Sequence, residues 1–398
     1  MNDESRIKKI IDEIAQDVID FAVKLVQTKS MTCSEEAVAK LVASKMHSLS
    51  YDKVNIDPYG NVIGQLGSGK NILFFDSHMD TVAVNDGPKW KYPPFGGEIH
   101  DGKIYGRGAV DMKCPLAASV YGGYIAKQIG IPDNVAVVVS ASCMEEDYDG
   151  EAVREYFSWS SLNPNAVVIC EPTDLKIATG HRGRALLEIN MPGKSCHASA
   201  PENGINPVYL LSSVIKRVEQ LCTDLAAQKN VSGECGSVAI SNIYCNTASN
   251  NSVPMDATII LDRRLVTGED KKFIEKEMDS LVAGTPATWK YSDIPGVSWT
   301  GMNFVFHSFL PAWDIDENSS LVKAAAEAYK SIRKSEPVLF HMGACTNGVA
   351  TAGMLGLPTI VFGPGDISMA HVTDECCDIQ SMLDACCMYA QIAVQGKF

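Results

Sequence analysis

Asn71-Ile-Leu-Phe-Phe-Asp76-Ser-His78-Met-Asp80 is an apolar run that stops at acids grouped around one histidine. The run predicts a strand, and in open α/β sheets ligands collect outside the carboxyl ends of the strands. Val135-Ala-Val-Val-Val-Ser-Ala141 and Ala166-Val-Val-Ile-Cys170 predict further buried strands, the first without alternation, as expected of a sheet covered on both faces. Upstream, Ile10, Ile11, Ile14, Val18, Phe21 and Leu25 recur with helical period, so an amphipathic helix over residues 4–28 opens the chain. Thr32 and Ser34, followed by Glu35 and Glu36, look like a cap for a second helix through Met46. Short strands over 54–60 and 61–67, a hairpin signal at Asp101-Gly102 and a helix from about Pro115 to Gln128 continue the alternation. Residues 1–180 therefore predict an α/β sheet.

The pattern changes after Gly180-His-Arg-Gly-Arg184. Ala185–Met191 alternates, a helix covers about Asn206 to Gln228, and 237–244 and 257–261 are strands, an order that suggests a small α+β domain. Ser320–Arg333 then reads as a helix and Pro358-Thr-Ile-Val-Phe-Gly363 as another buried strand. The second domain looks inserted into the first, with 1–181 and 296–398 forming one domain and 182–295 the other. A length of 398 residues also favours two domains.

A net charge of −14 argues against a nucleic-acid partner, because binding phosphates needs a basic face. It leaves room for a small anionic substrate, which needs only one local arginine. No stretch reaches the roughly 18–20 apolar residues that span a bilayer, and the N-terminus lacks a signal-peptide core. Thirteen cysteines, an odd count with no C-x-x-C spacing, suit reduced thiols in a cytoplasm. Gly64–Lys70 has Walker-A spacing, but Asn71 stands where a hydroxyl should bind magnesium and a strand follows instead of a helix.

The candidate chemistry sits where buried strands end or helices begin. In His78-Met-Asp80 a neutral imidazole can bind zinc while a carboxylate holds its other N–H; a capped strand end with a satisfied histidine is the plainer account. Asp111, in Gly106-Arg-Gly-Ala-Val-Asp111-Met-Lys, would ordinarily be a helix cap. Glu145 and Glu146 repel each other unless a cation or shared proton intervenes, although by itself such a stretch is more commonly a solvated acidic turn. Glu171 closes another strand, and the loop Gly363-Pro-Gly-Asp-Ile-Ser-Met-Ala-His371 can carry His371 back to the same edge. Together, two histidines and three carboxylates match the ligand set of a zinc pair.

In this order, His78 and Asp80, Gly-Arg-Gly with Asp111-Met-Lys, Glu145-Glu146, Glu171-Pro-Thr and a late His371, the chain resembles the di-zinc aminoacylase and carboxypeptidase G family. Acetylornithine deacetylase and succinyl-diaminopimelate desuccinylase belong to that family as well. Met144–Gly150, Ser195–Gly204, Asp262–Glu269 and Thr346–Ala350 are most similar to its selenium-metabolism-linked branch, a label of genomic context that implies no selenium chemistry. The resemblance implies a zinc-peptidase-like mixed sheet flanked by helices, with an inserted ferredoxin-like lid and dimerisation domain. It implies two divalent ions, zinc with cobalt or manganese as alternatives. Asp111 would bridge them, His78 and Glu171 completing one site and Glu146 and His371 the other. Asp80 would orient His78, and Glu145 would be the general base. His197 would stabilise the oxyanion in a partner subunit's site. Asn251 and Arg264 would hold the substrate carboxylate, with Arg263 the alternative to Arg264, and Thr346 and Asn347 would line the pocket. A departure is Cys114-Pro115 in place of the Gly-Gly that follows Asp-Met-Lys in many members.

The expected activity is hydrolysis of an amide in an N-acyl amino acid or short peptide, carried out by a homodimer. An N-carbamoyl or ureido amidohydrolase is the rival enzyme. A non-catalytic metal-binding or interaction protein would be expected to have lost a ligand or the base, and every one is present.

Overall fold

The computed structural model describes residues 3–230 and 233–398. The chain forms two compact units, one containing residues up to Gly180 with Gly296–Phe304 and Asp314–Phe398, the other His181–Pro295 with Val305–Trp313.

The first unit is built on a mixed sheet. Its strands run in the order Lys53–Ile56, Val62–Leu66, Val135–Ser142, Asn71–His78, Ala166–Ile169, Thr359–Val361, with further strands beyond. Asn71–His78 is parallel to both neighbours, and Thr359–Val361 is parallel to Ala166–Ile169. The register sets His78 opposite Ser142, Asp76 opposite Ile169 and Val361 opposite Ile169. Four strands therefore end along one edge, and the segments after them begin side by side.

Adjacent side chains in a strand point to opposite faces, and Phe74 and Phe75 show what this does here. Phe74 packs on Phe157 of the helix Glu151–Ser160 at 5.0 Å between ring centroids. Phe75 packs on Tyr389 of the helix Ile379–Gln395 at 5.1 Å. Both are fully buried, contributing about 1.5–3 kcal/mol each. The helix Cys114–Ile129 lies against Ile379–Gln395 so closely that a Cβ on Gly122 would stand 2.7 Å from that of Tyr389. At the hairpin between Glu98–His100 and Lys103–Tyr105, Asp101 and Gly102 both take positive φ, as a two-residue turn requires.

One local expectation fails. The helix Glu36–Ser48 has no side-chain cap. The Thr32 hydroxyl donates instead to Asp80 Oδ2 at 2.9 Å, and Glu35 is fully buried. Tertiary partners outbid the local cap.

The second unit has an antiparallel sheet ordered Ser237–Asn246, Asp256–Leu265, Gly183–Pro192, Thr288–Tyr291, carrying the helices Pro207–Ala227 and Lys271–Val282. The Asn206 side chain caps the first helix by accepting from Val208 N. Leu187, Ile189, Leu211, Val214, Ile259, Leu261, Ile274 and Met278 form its core.

Alternation along Asp256–Leu265 sends the two arginines to opposite faces. Arg263 is the inward one, its side chain fully buried and bonded to Glu277 (3.0 Å) and Glu269 (2.5 Å). Arg264 faces out, 35% exposed, beside Asp262 at 2.7 Å. Replacing Arg263 by Met strands two carboxylates and is expected to destabilise the protein by about 3–5 kcal/mol. Arg264→Ala should cost under about 1 kcal/mol. Comparing the unfolding transitions of the two variants checks this, and equal small losses would count against the buried pairs.

Candidate metal centre

The strand-edge segments deliver their side chains to one point. His78 ends its strand with its ring fully buried. Its Nδ1 lies 3.0 Å from the main-chain oxygen of Asp80 and 3.5 Å from Asp80 Oδ1, so Nδ1 is the nitrogen that keeps its proton when Nε2 gives one up. Nε2 then faces the cluster, 2.9 Å from Asp111 Oδ1, 3.5 Å from Glu171 Oε1 and 3.8 Å from Glu145 Oε2.

Asp111 lies in an extended turn just before the helix Cys114–Ile129, so it does not cap that helix. While Oδ1 meets His78, Oδ2 lies 3.2 Å from His371 Nε2. The same His371 nitrogen is 2.9 Å from Glu146 Oε2. The side chain of His371 is 52% exposed, in contrast to that of His78. Two residues along these paths, Met144 (φ 64°) and His371 (φ 62°), occupy the left-handed region that non-glycine residues seldom adopt. Such conformations persist only where surrounding contacts impose them.

Around the cluster, carboxylates accept from backbone amides. Asp80 Oδ1 accepts from Glu145 N and Asp80 Oδ2 from Glu146 N, each at 3.0 Å. Glu375 Oε1 accepts from Val110 N (3.0 Å) and Asp111 N (3.1 Å), while Arg107 Nη1 donates to Glu375 Oε2 at 2.6 Å. Glu375 is fully buried and Arg107 nearly so. Sequence reasoning missed Glu375, because one acid in a Thr-Asp-Glu run has no diagnostic spacing.

Crowding of acids shows in their proton affinities. Burial raises Glu145 and Glu171 well above the usual carboxylate range. Burial and the nearby Asp111 charge push Glu146 up to about 7, and the same pair of causes brings Glu375 to about 7. Burial opposes ionisation of Asp111 too, yet hydrogen bonds from His371 and His78 hold it below its usual value. Those with Asp111 and Glu146 push His371 up to about 10. So many acids around two imidazoles are short of positive charge. His78, Glu145 and Glu171, and separately His78, Asp111 and Glu146, bring ligand atoms within 4.8 Å of one another. Oxygen and imidazole donors without a thiolate suit divalent zinc, cobalt or manganese, so the residues fit the cations. Ligation requires the protons they hold to leave.

Thr346 and Asn347 belong to the first unit. Both are buried, and Asn347 Nδ2 donates to Asp76 Oδ2 (2.8 Å) and Ser142 Oγ (3.0 Å), while its Oδ1 accepts from Gly150 N (2.7 Å). Thr346 Oγ1 accepts from Gly348 N. Asn347 thus ties the ends of two strands to the loop before the helix Glu151–Ser160. His197, Asn251 and Arg264 belong to the second unit. There His197 pairs opposite Ser252, and Ala198 N donates to Asn251 O at 2.7 Å, so His197 and Asn251 share one exposed edge. All thirteen cysteines are free thiols.

Fold and donor cluster together define the class of metal-dependent hydrolases. Residues 74–395 match the model of peptidase family M20/M25/M40, and the chain belongs to that family. It acts on amide bonds. It is 33% identical over 380 residues to the protein YgeY of Escherichia coli (strain K12), itself described as uncharacterized, covering 94% of this chain and 93% of that one. Among solved structures it is similar to the M20 family metallo-carboxypeptidase Sso-CP2 from Sulfolobus solfataricus (TM-score 0.74, 19% identity, 96% of this chain and 99% of that one). It is also similar to the YXEP protein of Bacillus subtilis, described as a dinuclear metal binding peptidase (TM-score 0.69, 14% identity, 97% and 99%). Among the described residues no helix is long and apolar enough to cross a membrane.

Glu375→Ala releases the amides of Val110 and Asp111 and is expected to weaken Co2+ binding about 10–100-fold. Calorimetric titration of the metal-free protein measures this, and unchanged affinity would free Asp111 from any dependence on Glu375.

Proposed function

We propose that the protein hydrolyses an amide bond, N-acyl or peptide, in a small carboxylate-bearing substrate, with Glu145 as general base. The carrying observation is that Asp111 offers one oxygen to each of two histidines, with Glu145 alongside. In this reading His78, Asp111 and Glu171 hold one ion, and Glu146, Asp111 and His371 hold the other. The description of the YXEP protein as dinuclear supports two ions. Zinc is the proposed metal, with cobalt and manganese acceptable to the same donors. When bound, the pair supplies Lewis acidity that polarises a carbonyl and acidifies water.

The remaining work falls to side chains. Glu146 is engaged by His371, whereas Glu145 has no protein hydrogen bond to its carboxylate among the described residues. Of the adjacent pair, Glu145 is therefore the one left to take a proton from the attacking water and return it to the leaving nitrogen. Asp80 orients His78 through Nδ1 and, through two amides, both glutamates. His197 donates to the developing oxyanion in the site of the second copy of a homodimer formed through the inserted domain. Asn251 and Arg264 bind the substrate carboxylate, for which the planar guanidinium suits a two-point contact. Arg263, held by Glu269 and Glu277, is not available. Free thiols favour a cytoplasmic setting.

Glu145→Gln is expected to bind two Co2+ ions per chain and lose about 10²–10⁴-fold in turnover of a panel of N-acetyl amino acids and dipeptides. Retained turnover removes Glu145 from the mechanism. Ammonia and carbon dioxide released from N-carbamoyl compounds, with no carboxylic acid from the panel, would reassign the substrate to the ureido class. His197→Ala is expected to lower turnover about 10²–10³-fold at unchanged metal content. Parallel loss of metal would mark His197 as a folding residue.

A further inference from the structure

Four consecutive amides lead into the acids of the cluster, and none is spent on regular secondary structure. Cys143 N donates to Asn61 Oδ1, Met144 N to Glu35 Oε1, Glu145 N to Asp80 Oδ1 and Glu146 N to Asp80 Oδ2, each at 3.0 Å. The acceptors come from three separate stretches of chain. The contact with Glu35 falls on Met144, whose left-handed φ sets the direction in which Glu145 leaves the strand. Glu35 Oε1 also accepts from Cys33 N at 3.0 Å, tying the segment before its own helix to the loop. The other oxygen, Oε2, is buried and has no hydrogen-bond partner among the described residues.

A fully buried carboxylate with an orphan oxygen is costly to keep, since an unpaired buried polar group loses its hydration without return. A helix cap would not need it, and the helix that follows has none. We infer that Glu35 is a positioning residue for hydrolysis, holding the Met144 amide so that Glu145 is aimed at the substrate water. This rests on the reading of Glu145 as general base. Glu35 touches no reacting atom; its influence passes through the backbone of Met144.

Hydrogen exchange by mass spectrometry over residues 143–147 reads the contact without any activity. Glu35→Ala is expected to speed exchange there and Glu35→Gln to leave it slow, because the amide oxygen of Gln still accepts. Kinetics are measured on Co2+-loaded protein with the fastest member of a panel of N-acetyl amino acids and dipeptides. Glu35→Ala should lower kcat about 10–100-fold with KM unchanged and two Co2+ ions per chain retained, and Glu35→Gln should restore kcat. Combined with Glu145→Gln, Glu35→Ala should change kcat by less than about twofold, because both act through one group. A fully multiplicative loss in the double variant, or a single Glu35→Ala with wild-type kcat, overturns the inference. If instead Glu145→Gln alone keeps its turnover, the general-base reading has failed first, and the single variant reveals that. Should Glu35→Ala not fold, Glu35→Asp, with a shorter arm that withdraws the acceptor, takes its place, and wild-type kcat in that variant is equally fatal.

Discussion

One carboxylate shared by two imidazoles organises the first unit. Asp111 gives a separate oxygen to His78 and to His371, and Glu171, Glu145 and Glu146 gather around the same histidines. Removing a charge from water costs several kcal/mol when it goes unmatched. A cluster of this kind is tolerable only where positive charge returns part of that cost. Parallel strands that end together make the crowding possible, because each hands its next few residues to the same edge.

The same edge explains why backbone amides are held by acids. Past the end of a strand the ladder offers no partner, yet a buried N–H must still be satisfied. Glu375 meets the amides of Val110 and Asp111, Asp80 those of the two glutamates, and Glu35 that of Met144. Each acid fixes a peptide plane and, with it, the direction of a neighbouring side chain. In the second unit the arrangement is different. Arg263 is enclosed by Glu269 and Glu277 as structure, and Arg264 lies on the other face beside Asp262.

The sequence made the sheet legible because apolar runs such as Val135–Ala141 have no solvent face to break them up. It made the donor cluster legible because histidines and acids directly follow those runs, as at His78 and Glu171. Asp111 needed more, since a carboxylate before a helix is normally a cap and only the turn geometry makes it otherwise. Asn347 has structural partners that were hidden for a related reason. Asp76, Ser142 and Gly150 lie far from it in sequence and meet it only in the folded chain. Glu35 and Glu375 reach amides 109 and 264 positions away in sequence, a range at which no spacing rule operates.

Chain order within the cluster bears on how the protein is made. Asn61, Glu35 and Asp80 all precede the loop they hold, so every acceptor for residues 143–146 has been synthesised before that loop leaves the ribosome. His371 and Glu375 come only after the entire second unit. Glu171 and His371 are separated by 200 positions (371 − 171), a translation interval of about 10–40 s. Throughout that interval His78, Asp111, Glu145, Glu146 and Glu171 have been synthesised and the second imidazole of the cluster has not.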